Sequence, residues 1–468
     1  MTKTKILATL GPASFDKIPE LIKAGVDGFR FNMAHVSPDE YGHRKGLIKK
    51  IREIDDKIFI SADLEGPKIR LGTFDSIDVR KDEEVEIITE NKYSGKGIPI
   101  KLDDFYKYLK KDDKILIDDG KVCLRVSGIN GKVVKGVVEC DGIIEKRKGV
   151  NVPYVSIPIP FPSEKDKRDA EFCAEAGIDI VFASYTRNVD DLIEWDRLFG
   201  GTGILKGSKP ENYEGFKNIE EIIQNSDIVM IPRGDAGMEI GVAKIPAYQK
   251  MIIERCNVLG IPVVTATQML ESMTFYNEPT RAEVSDVFNA VLDGSDVVML
   301  SGETSKGKYP VEAVHKMDEI AEEAEKYLFD PSSGVNLGEK LDKLIKTGNS
   351  ADLISKSVYA AASSKDIKAI IVPTSTSYTA RMISRFRMEK PVIAVAYDER
   401  VKRQLNVMWG VFPLITDRLH EEKEIVQNAV RVAKEKGYVA KDDSVLVTTG
   451  FGDYGKGSTN IMRIEKVS

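Results

Sequence analysis

The chain has 468 residues, 42% of them hydrophobic and 30% charged, with 68 basic and 74 acidic side chains and a formal charge of −6. That length exceeds one ordinary hydrophobic core and favours two or three domains. The composition excludes a disordered or fibrous chain, and the near balance of charge gives no broad nucleic-acid footprint, though it permits a local basic cleft.

In chain order, short β-branched runs alternate with helix-length amphipathic segments. The runs are KILATLG near residue 8, DGFRFNM near 30, IFISADLEG near 62 and IDIVFASYT near 182, then GILKGSKPE near 207, DIVMIPRGD near 231, IPVVTATQM near 265 and SDVVMLSGET near 299. Apolar strands separated by helices require a parallel sheet covered by those helices. Eight such units predict a closed (β/α)8 barrel, which leaves no unpaired edge. The interval between the third and fourth units is too long for a βα connection. Within residues 67–150 it carries VEIITE, KILIDD, KVCLRVSG and GKVVKGVVEC, with turn signals DDG at 118–120 and ING at 129–131. These predict a small β-barrel lid inserted after the third strand. The barrel pattern ends near Leu328, and the breaker-rich FDPSSGVNLG at 329–338 reads as a linker. Five more runs, IKAIIVPTST, PVIAVAYD, VFPLIT, SVLVTTG and NIMRIEKV, predict a separate α/β domain. The expected organisation is barrel over 1–66, lid over 67–150, barrel again over 151–330, and the C-terminal α/β domain over 331–468.

Cys123, Cys140, Cys173 and Cys256 form no CxxC pair, which reads as free thiols in a reducing compartment. No apolar run nears the ~20 residues that span a bilayer, and the N-terminal stretch lacks a signal-peptide pattern. A cytoplasmic protein without nucleic-acid or membrane partners is expected.

The C-terminal ends of barrel strands converge on one centre. The fifth strand ends at Lys209 with Glu211 just beyond, and the sixth leads into Arg233, Gly234 and Asp235. Glu211 and Asp235 come from neighbouring strands and can reach one ion. Two carboxylates with waters and substrate oxygens suit Mg2+ or Mn2+; a surface salt-bridge cluster is the plainer alternative. Lys209 is placed to neutralise phosphoryl oxygens or a developing enolate. The second strand supplies Arg30, Asn32 and His35, and the third Asp63, Lys68 and Arg70. Paired arginines can clamp phosphate through planar forks of donors, although Arg30 serves equally well as half of a structural ion pair. With only four histidines in the chain and none paired with His35 at ligand spacing, a histidine zinc site is not expected.

Thr265 and Thr267 are two apart and should share one strand face. Thr267 is either a hydroxyl for a substrate carboxylate and a proton relay, or merely a β-branched barrel residue; Ser184 has the same ambiguity. Ser301 and Glu303 should sit at the barrel mouth, and SGETSKGK lacks the spacing of a P-loop. Thr374, Ser375, Thr376, Ser377 and Thr379 follow the first C-terminal strand and precede a helix expected near Ala380. They read as a phosphate cup over which GFGDYGKGSTN at 450–460 could close, or as an ordinary polar turn.

TKILATLGPAS, RFNMAH, DLEGPKIR, FASYTR, KPENYEG, PRGD, VVTATQMLESM, TRAEVSDVFNAVLDGSD and MLSGETSKGKYPVEAV together resemble the pyruvate kinase family. The resemblance covers nearly the whole chain in family order. It implies phosphoryl transfer from phosphoenolpyruvate to ADP through a metal-stabilised enolpyruvate. It also implies a lid over the barrel, a regulatory C-terminal domain responsive to a phosphorylated allosteric effector, and a homotetramer. By that resemblance Glu211 and Asp235 are metal ligands, and Lys209 stabilises the transferring phosphoryl group and the enolate. Arg30, Asn32, His35, Arg70 and Lys148 are phosphate and nucleotide contacts. Gly234, Asp235 and Thr267 cradle the substrate carboxylate, and Thr267 lies on the protonation route. One departure stands out. Potassium-dependent members usually read N-x-S-H where this chain has Asn32, Met33, Ala34 and His35, and they usually carry Glu where this chain has Lys68. A potassium-independent member is therefore expected, with Asn32, Asp63 and Lys68 as the equivalent of the monovalent-cation site. The competing readings are a metal-dependent pyruvate-enolate lyase or aldolase, and a noncatalytic phosphometabolite-binding regulator.

Overall fold

The structure, a computed structural model, describes residues 2–89, 97–450 and 459–468. Eight parallel strands close into a barrel: Lys5–Thr9, Gly28–Asn32, Phe59–Asp63, Ile180–Ser184, Leu205–Lys209, Ile228–Pro232, Val263–Ala266 and Val297–Leu300. The first strand pairs with both the second and the eighth, which closes the ring. All eight lie where the apolar runs put them. Strand alternation divides their side chains between two faces. Leu7, Phe59, Phe182, Met230, Val264 and Met299 pack in one cluster, while Ile6, Phe29, Phe31, Ile60 and Val181 join the cluster that includes Leu21, Leu47 and Ile51 of the covering helices. Two glycines make the barrel filling possible. A Cβ on Gly28 would lie 2.3 Å from the Phe59 ring, and one on Gly207 2.4 Å from that of Phe182. Each ring thus fills space that its neighbouring strand vacates. Losing such a ring costs about 3–5 kcal/mol.

The insertion after the third barrel strand forms a six-stranded sheet in the order Val150–Asn151, Lys114–Ile117, Val122–Asn130, Val133–Val138, Glu84–Ile88, Ile98–Pro99. A two-stranded sheet of Ile77–Val79 and Gly142–Ile144 stands beside it. It has its own apolar core, including Leu71, Phe105, Ile115, Leu124 and Val134. At its base Arg70 pairs with Gly149 in an antiparallel bridge, so the outgoing and returning chains run side by side over the barrel mouth.

The C-terminal sheet has the order Val411–Ile415, Val392–Ala396, Ile367–Thr374, Ser444–Thr449, Ile461–Lys466, with the last strand antiparallel. It docks on the face of the barrel opposite the lid through buried ion pairs. Arg387 reaches Asp296 at 2.8 Å and Arg403 reaches Asp179 at 2.8 Å, and each aspartate immediately precedes a barrel strand. Breaking one partner of such a pair costs about 3–5 kcal/mol, because the other charge stays buried. Stability is thus concentrated at the lower face and chemistry at the upper. Among the described residues the four cysteines are free, and no helix is long and apolar enough to cross a membrane.

Candidate active site

A cleft of about 880 Å³ lies between the upper ends of the barrel strands and the inserted unit. Arg30, Asn32, His35, Lys68, Arg70, Lys148, Lys209, Glu211, Asp235 and Thr267 all line it. The strand-end rule therefore brings together residues spread over more than half the chain.

Lys209 is the last residue of its strand, and its ammonium is buried among oxygens. It lies 2.9 Å from Asp63 Oδ2, 3.2 Å from Glu211 Oε1 and 3.3 Å from Ser184 Oγ. Burial alone would lower its pKa, but Asp63 and Glu211 outweigh that effect and raise it, so the cation is held. Arg30 donates to Asp63 Oδ2 at 2.8 Å and to Thr9 Oγ1 at 3.1 Å. Burial works to raise the Asp63 pKa, yet Arg30 and Lys209 hold it down at about 2. Arg30 is therefore half of a buried ion pair and a cleft-lining guanidinium at once; the two sequence readings are not exclusive.

Glu211 accepts the Tyr185 backbone N–H at 2.9 Å, and burial, with the like charge of Asp235, favours its protonated form against the pull of Lys209. Asp235 lies in the first turn of the helix Arg233–Ile240, which starts directly from the sixth barrel strand. Its Oδ1 accepts the Tyr185 hydroxyl at 2.8 Å and Lys68 Nζ at 3.0 Å. These contacts overcome burial and keep its pKa low. Two carboxylates whose like charges repel each other fit a hard divalent cation. Such an ion completes its octahedron from water and substrate oxygens rather than from an all-protein cage. Among the described residues no group of three or more His, Cys, Asp or Glu is placed to hold a metal.

The structure corrects four details. Lys68 does not reach toward Asp63, whose Oδ2 takes both Arg30 and Lys209; its ammonium bonds Asp235 and lies 5.2 Å over the Tyr185 ring. Thr265 and Thr267 do not share a face. Thr265 is buried on the helix side with its hydroxyl 2.7 Å from Ser295, whereas the strand ends at Ala266 and the backbone turns left-handed at Thr267 (φ 67°) and Gln268 (φ 52°). Strand periodicity stops where the strand stops, and the turn delivers Thr267 to the cleft, its Oγ1 accepting the Gly234 N–H at 3.0 Å. Left-handed non-glycine residues cost about 1–3 kcal/mol each. Arg233 offsets that strain by donating to the carbonyls of Ala266, Thr267 and Gln268 while paired to Asp286 at 2.6 Å. Glu303 is not open to the mouth but buried, taking the N–H groups of Leu270 at 3.0 Å and Ser301 at 2.7 Å. Thr379 is buried with its hydroxyl 2.8 Å from that of Thr459, rather than on the exposed surface of the turn.

The rest of that cup is a turn between the strand Ile367–Thr374 and a helix that begins at Tyr378, two residues earlier than expected. Thr374 and Thr376 bond each other through hydroxyl, carbonyl and N–H groups, and Ser375 faces solvent. Of the segment expected to close over the turn, residues 451–458 lie outside the described residues. Asn32 uses its side chain to accept the Ala34 N–H at 3.3 Å. Arg70 donates to Glu65 at 2.8 Å, and burial together with Arg70 keeps the His35 pKa below its ordinary value. Lys148 pairs with Asp118 at 3.2 Å and Glu145 at 3.0 Å.

Sequence reasoning missed Lys101, Asp118, Asp119 and Arg147, which the insertion contributes to the cleft. It also missed Tyr185, and Glu239, whose carboxyl accepts Asn151 Nδ2 at 2.7 Å and is pushed up to about 7 by burial. A hydrophobic-to-polar residue at a strand end, as in FASYT, was the available signal for Tyr185.

A family model described as pyruvate kinase, barrel domain, matches residues 1–314, and one described as pyruvate kinase, alpha/beta domain, matches residues 352–465. The chain is 41% identical to a pyruvate kinase of Clostridium acetobutylicum, with 100% of each chain covered. It is 37% identical to a pyruvate kinase of Thermococcus litoralis over 99% of this chain and 98% of that relative. It is also 37% identical to one of Lactobacillus delbrueckii subsp. bulgaricus, covering 99% of this chain and 80% of the relative.

Proposed function

The chain belongs to the pyruvate kinase family, and from that membership we infer that it transfers the phosphoryl group of phosphoenolpyruvate to ADP, giving pyruvate and ATP. The observation that carries the reading at the level of the site is the Lys209 ammonium, buried between Asp63 and Glu211 and open to a cleft that Asp235 and Arg30 also line. Phosphoryl transfer asks for positioning and charge neutralisation more than for a strong nucleophile. Glu211 and Asp235 would hold Mg2+ or Mn2+, which when bound supplies Lewis-acid charge to phosphoryl and enolate oxygens.

Lys209 balances the phosphoryl oxygens as the bond to the enol oxygen breaks and a terminal ADP oxygen takes the phosphorus. It then balances the enolate left behind. Arg30, Asn32, His35, Arg70 and Lys148 bind phosphate and nucleotide; a neutral His35 and a charged Arg70 suit base or ribose and phosphate respectively. The first turn at Gly234 and Asp235, with the Thr267 hydroxyl, receives the substrate carboxylate. Because Thr267 Oγ1 accepts from Gly234, its proton remains free to donate toward the cleft, which supports a place on the route to the enolate carbon. Residues 67–150 act as the lid excluding water, residues 1–66 and 151–330 as the catalytic barrel, and 331–468 as the regulatory unit.

Activity is independent of K+ in this reading. Ala34 offers no side-chain oxygen, and the Lys68 ammonium lies within the acidic cluster, favouring the charged forms of both Glu211 and Asp235. One observation favours the other reading, in which K+ still binds beside Asn32 and Asp63: Asp63 Oδ1 is buried without a hydrogen-bond partner. A pyruvate-formation assay in tetramethylammonium buffer tests both points. Pyruvate is expected only with phosphoenolpyruvate, ADP and Mg2+ together, and with little change on adding KCl at matched ionic strength. Pyruvate from phosphoenolpyruvate without ADP would mean transfer of the phosphoryl group to water, pyruvate released from a 4-hydroxy-2-oxo acid or oxaloacetate would indicate an aldolase or lyase, binding without turnover would indicate a noncatalytic regulator, and strong stimulation specific to K+ would overturn the potassium assignment.

Ser375, Thr376 and Ser377, with Thr374 bracing the turn, remain the polar surface for a phosphorylated effector. Titration calorimetry with sugar phosphates and nucleoside monophosphates is expected to give saturable binding that a Ser375→Ala, Ser377→Ala double variant loses; no heat with either class removes the site. A homotetramer is the proposed assembly, to be read by light scattering against the 52.0 kDa protomer mass.

A further inference from the structure

We propose that Tyr185 is a positioning residue that fixes both metal-binding carboxylates, and that Lys68 shares its grip on Asp235 as a built-in competitor of the divalent ion. The inference rests on the reading of Glu211 and Asp235 as metal ligands. Tyr185 follows directly on the fourth barrel strand and is left-handed, with φ 57°. That backbone turn lets one residue act on two carboxylates. Its N–H donates to Glu211 Oε2 at 2.9 Å, and its hydroxyl donates to Asp235 Oδ1 at 2.8 Å. Its carbonyl accepts Asn212 Nδ2 at 3.2 Å, which holds the peptide against rotation.

The phenol is the donor in this contact, because an ionised carboxylate oxygen can only accept. Lys68 arrives at the same oxygen from the opposite chain segment, at 3.0 Å, with its ammonium over the Tyr185 ring. A close approach enforces this meeting. A Cβ on Gly66 would lie 2.2 Å from the Ser184 carbonyl oxygen, so the loop leading to Lys68 runs directly against the turn that bears Tyr185. Both contacts converge on Oδ1, and no hydrogen bond among the described residues reaches Oδ2. The carboxylate is thereby oriented with one oxygen committed and one left for an ion. A hydroxyl orients a ligand without adding charge; an ammonium on the same oxygen repels a divalent ion. The two neighbours therefore act on metal affinity with opposite signs, which a merely structural role for either would not produce.

The test is Mn2+ binding to the full chain without substrates, read from the electron paramagnetic resonance of free Mn2+. Tyr185→Phe keeps the ring and the backbone N–H and removes only the hydroxyl; it is expected to weaken Mn2+ about tenfold. Lys68→Met is expected to tighten it. Asp235→Asn serves as the reference and is expected to abolish binding. If Asp235→Asn abolishes binding while Tyr185→Phe binds as tightly as the wild type, the positioning role is overturned and the metal site stands. If Asp235→Asn binds Mn2+ normally, the metal-ligand reading itself fails and the inference falls with it. Should Tyr185→Phe not fold, Lys68→Met decides alone: unchanged or weaker Mn2+ binding overturns the competition.

Discussion

Lys209→Met is expected to lower kcat by about a thousandfold or more while changing the KM for phosphoenolpyruvate far less. The ammonium is enclosed by Asp63, Glu211 and Ser184 and keeps its charge despite burial. In such a site the cation counts most when negative charge moves from the bridging oxygen to the enolate, because no water can reorganise to replace it. Methionine retains most of the stem and none of the charge. Asp63 keeps its partner Arg30 at 2.8 Å in the variant, so the upper barrel should hold its shape. Steady-state kinetics at saturating metal, with circular dichroism for the fold, checks this. A kcat comparable to that of the wild type would remove Lys209 from the reacting centre.

Glu211→Gln and Asp235→Asn carry the second large effect. Each should cost most of the turnover, on the order of a hundredfold or more at moderate metal concentration, and shift the Mg2+ activation curve upward. The substitutions are near-isosteric and keep an acceptor oxygen for the N–H of Tyr185 or its hydroxyl, so the loss is one of charge. The two sites should differ with pH. Burial and the charge of Asp235 favour protonated Glu211, whereas Lys68 and the Tyr185 hydroxyl keep Asp235 ionised. A metal needs the deprotonated ligands, so lowering the pH should weaken its binding chiefly through Glu211. Metal titration of activity for each variant is the measurement. An unchanged Mg2+ midpoint in either one would take that residue out of the metal shell.

Much of this architecture was legible because its rules are short-range or topological. Eight apolar runs of strand length can be counted, and a closed parallel barrel sends every C-terminal strand end to one mouth. Lys209, Glu211 and Asp235 could therefore be grouped although the first and last are 26 positions apart. The same logic assembled Arg30, Asp63 and Thr267 from distant strands. It failed where the backbone left its strand. Thr267 was assigned a direction by alternation, yet alternation ends at Ala266, and the left-handed turn held by Arg233 sets where the hydroxyl points.

By itself, then, the sequence determined the fold class, the face that carries the chemistry and the set of polar residues that meet there. Periodicity and chain order are properties of local covalent geometry, and a closed sheet converts them into position. Only the tertiary structure decided the partners within that set. Lys68 bonds Asp235 and not Asp63, whose Oδ2 is shared by Arg30 and Lys209. Tyr185 links two carboxylates through different atoms, Glu303 is buried among backbone N–H groups, and Thr379 faces inward. Each of those outcomes is a competition among charges and hydrogen-bond donors from segments far apart in the chain. Burial, which no local pattern specifies, strengthens each contact and decides which one prevails.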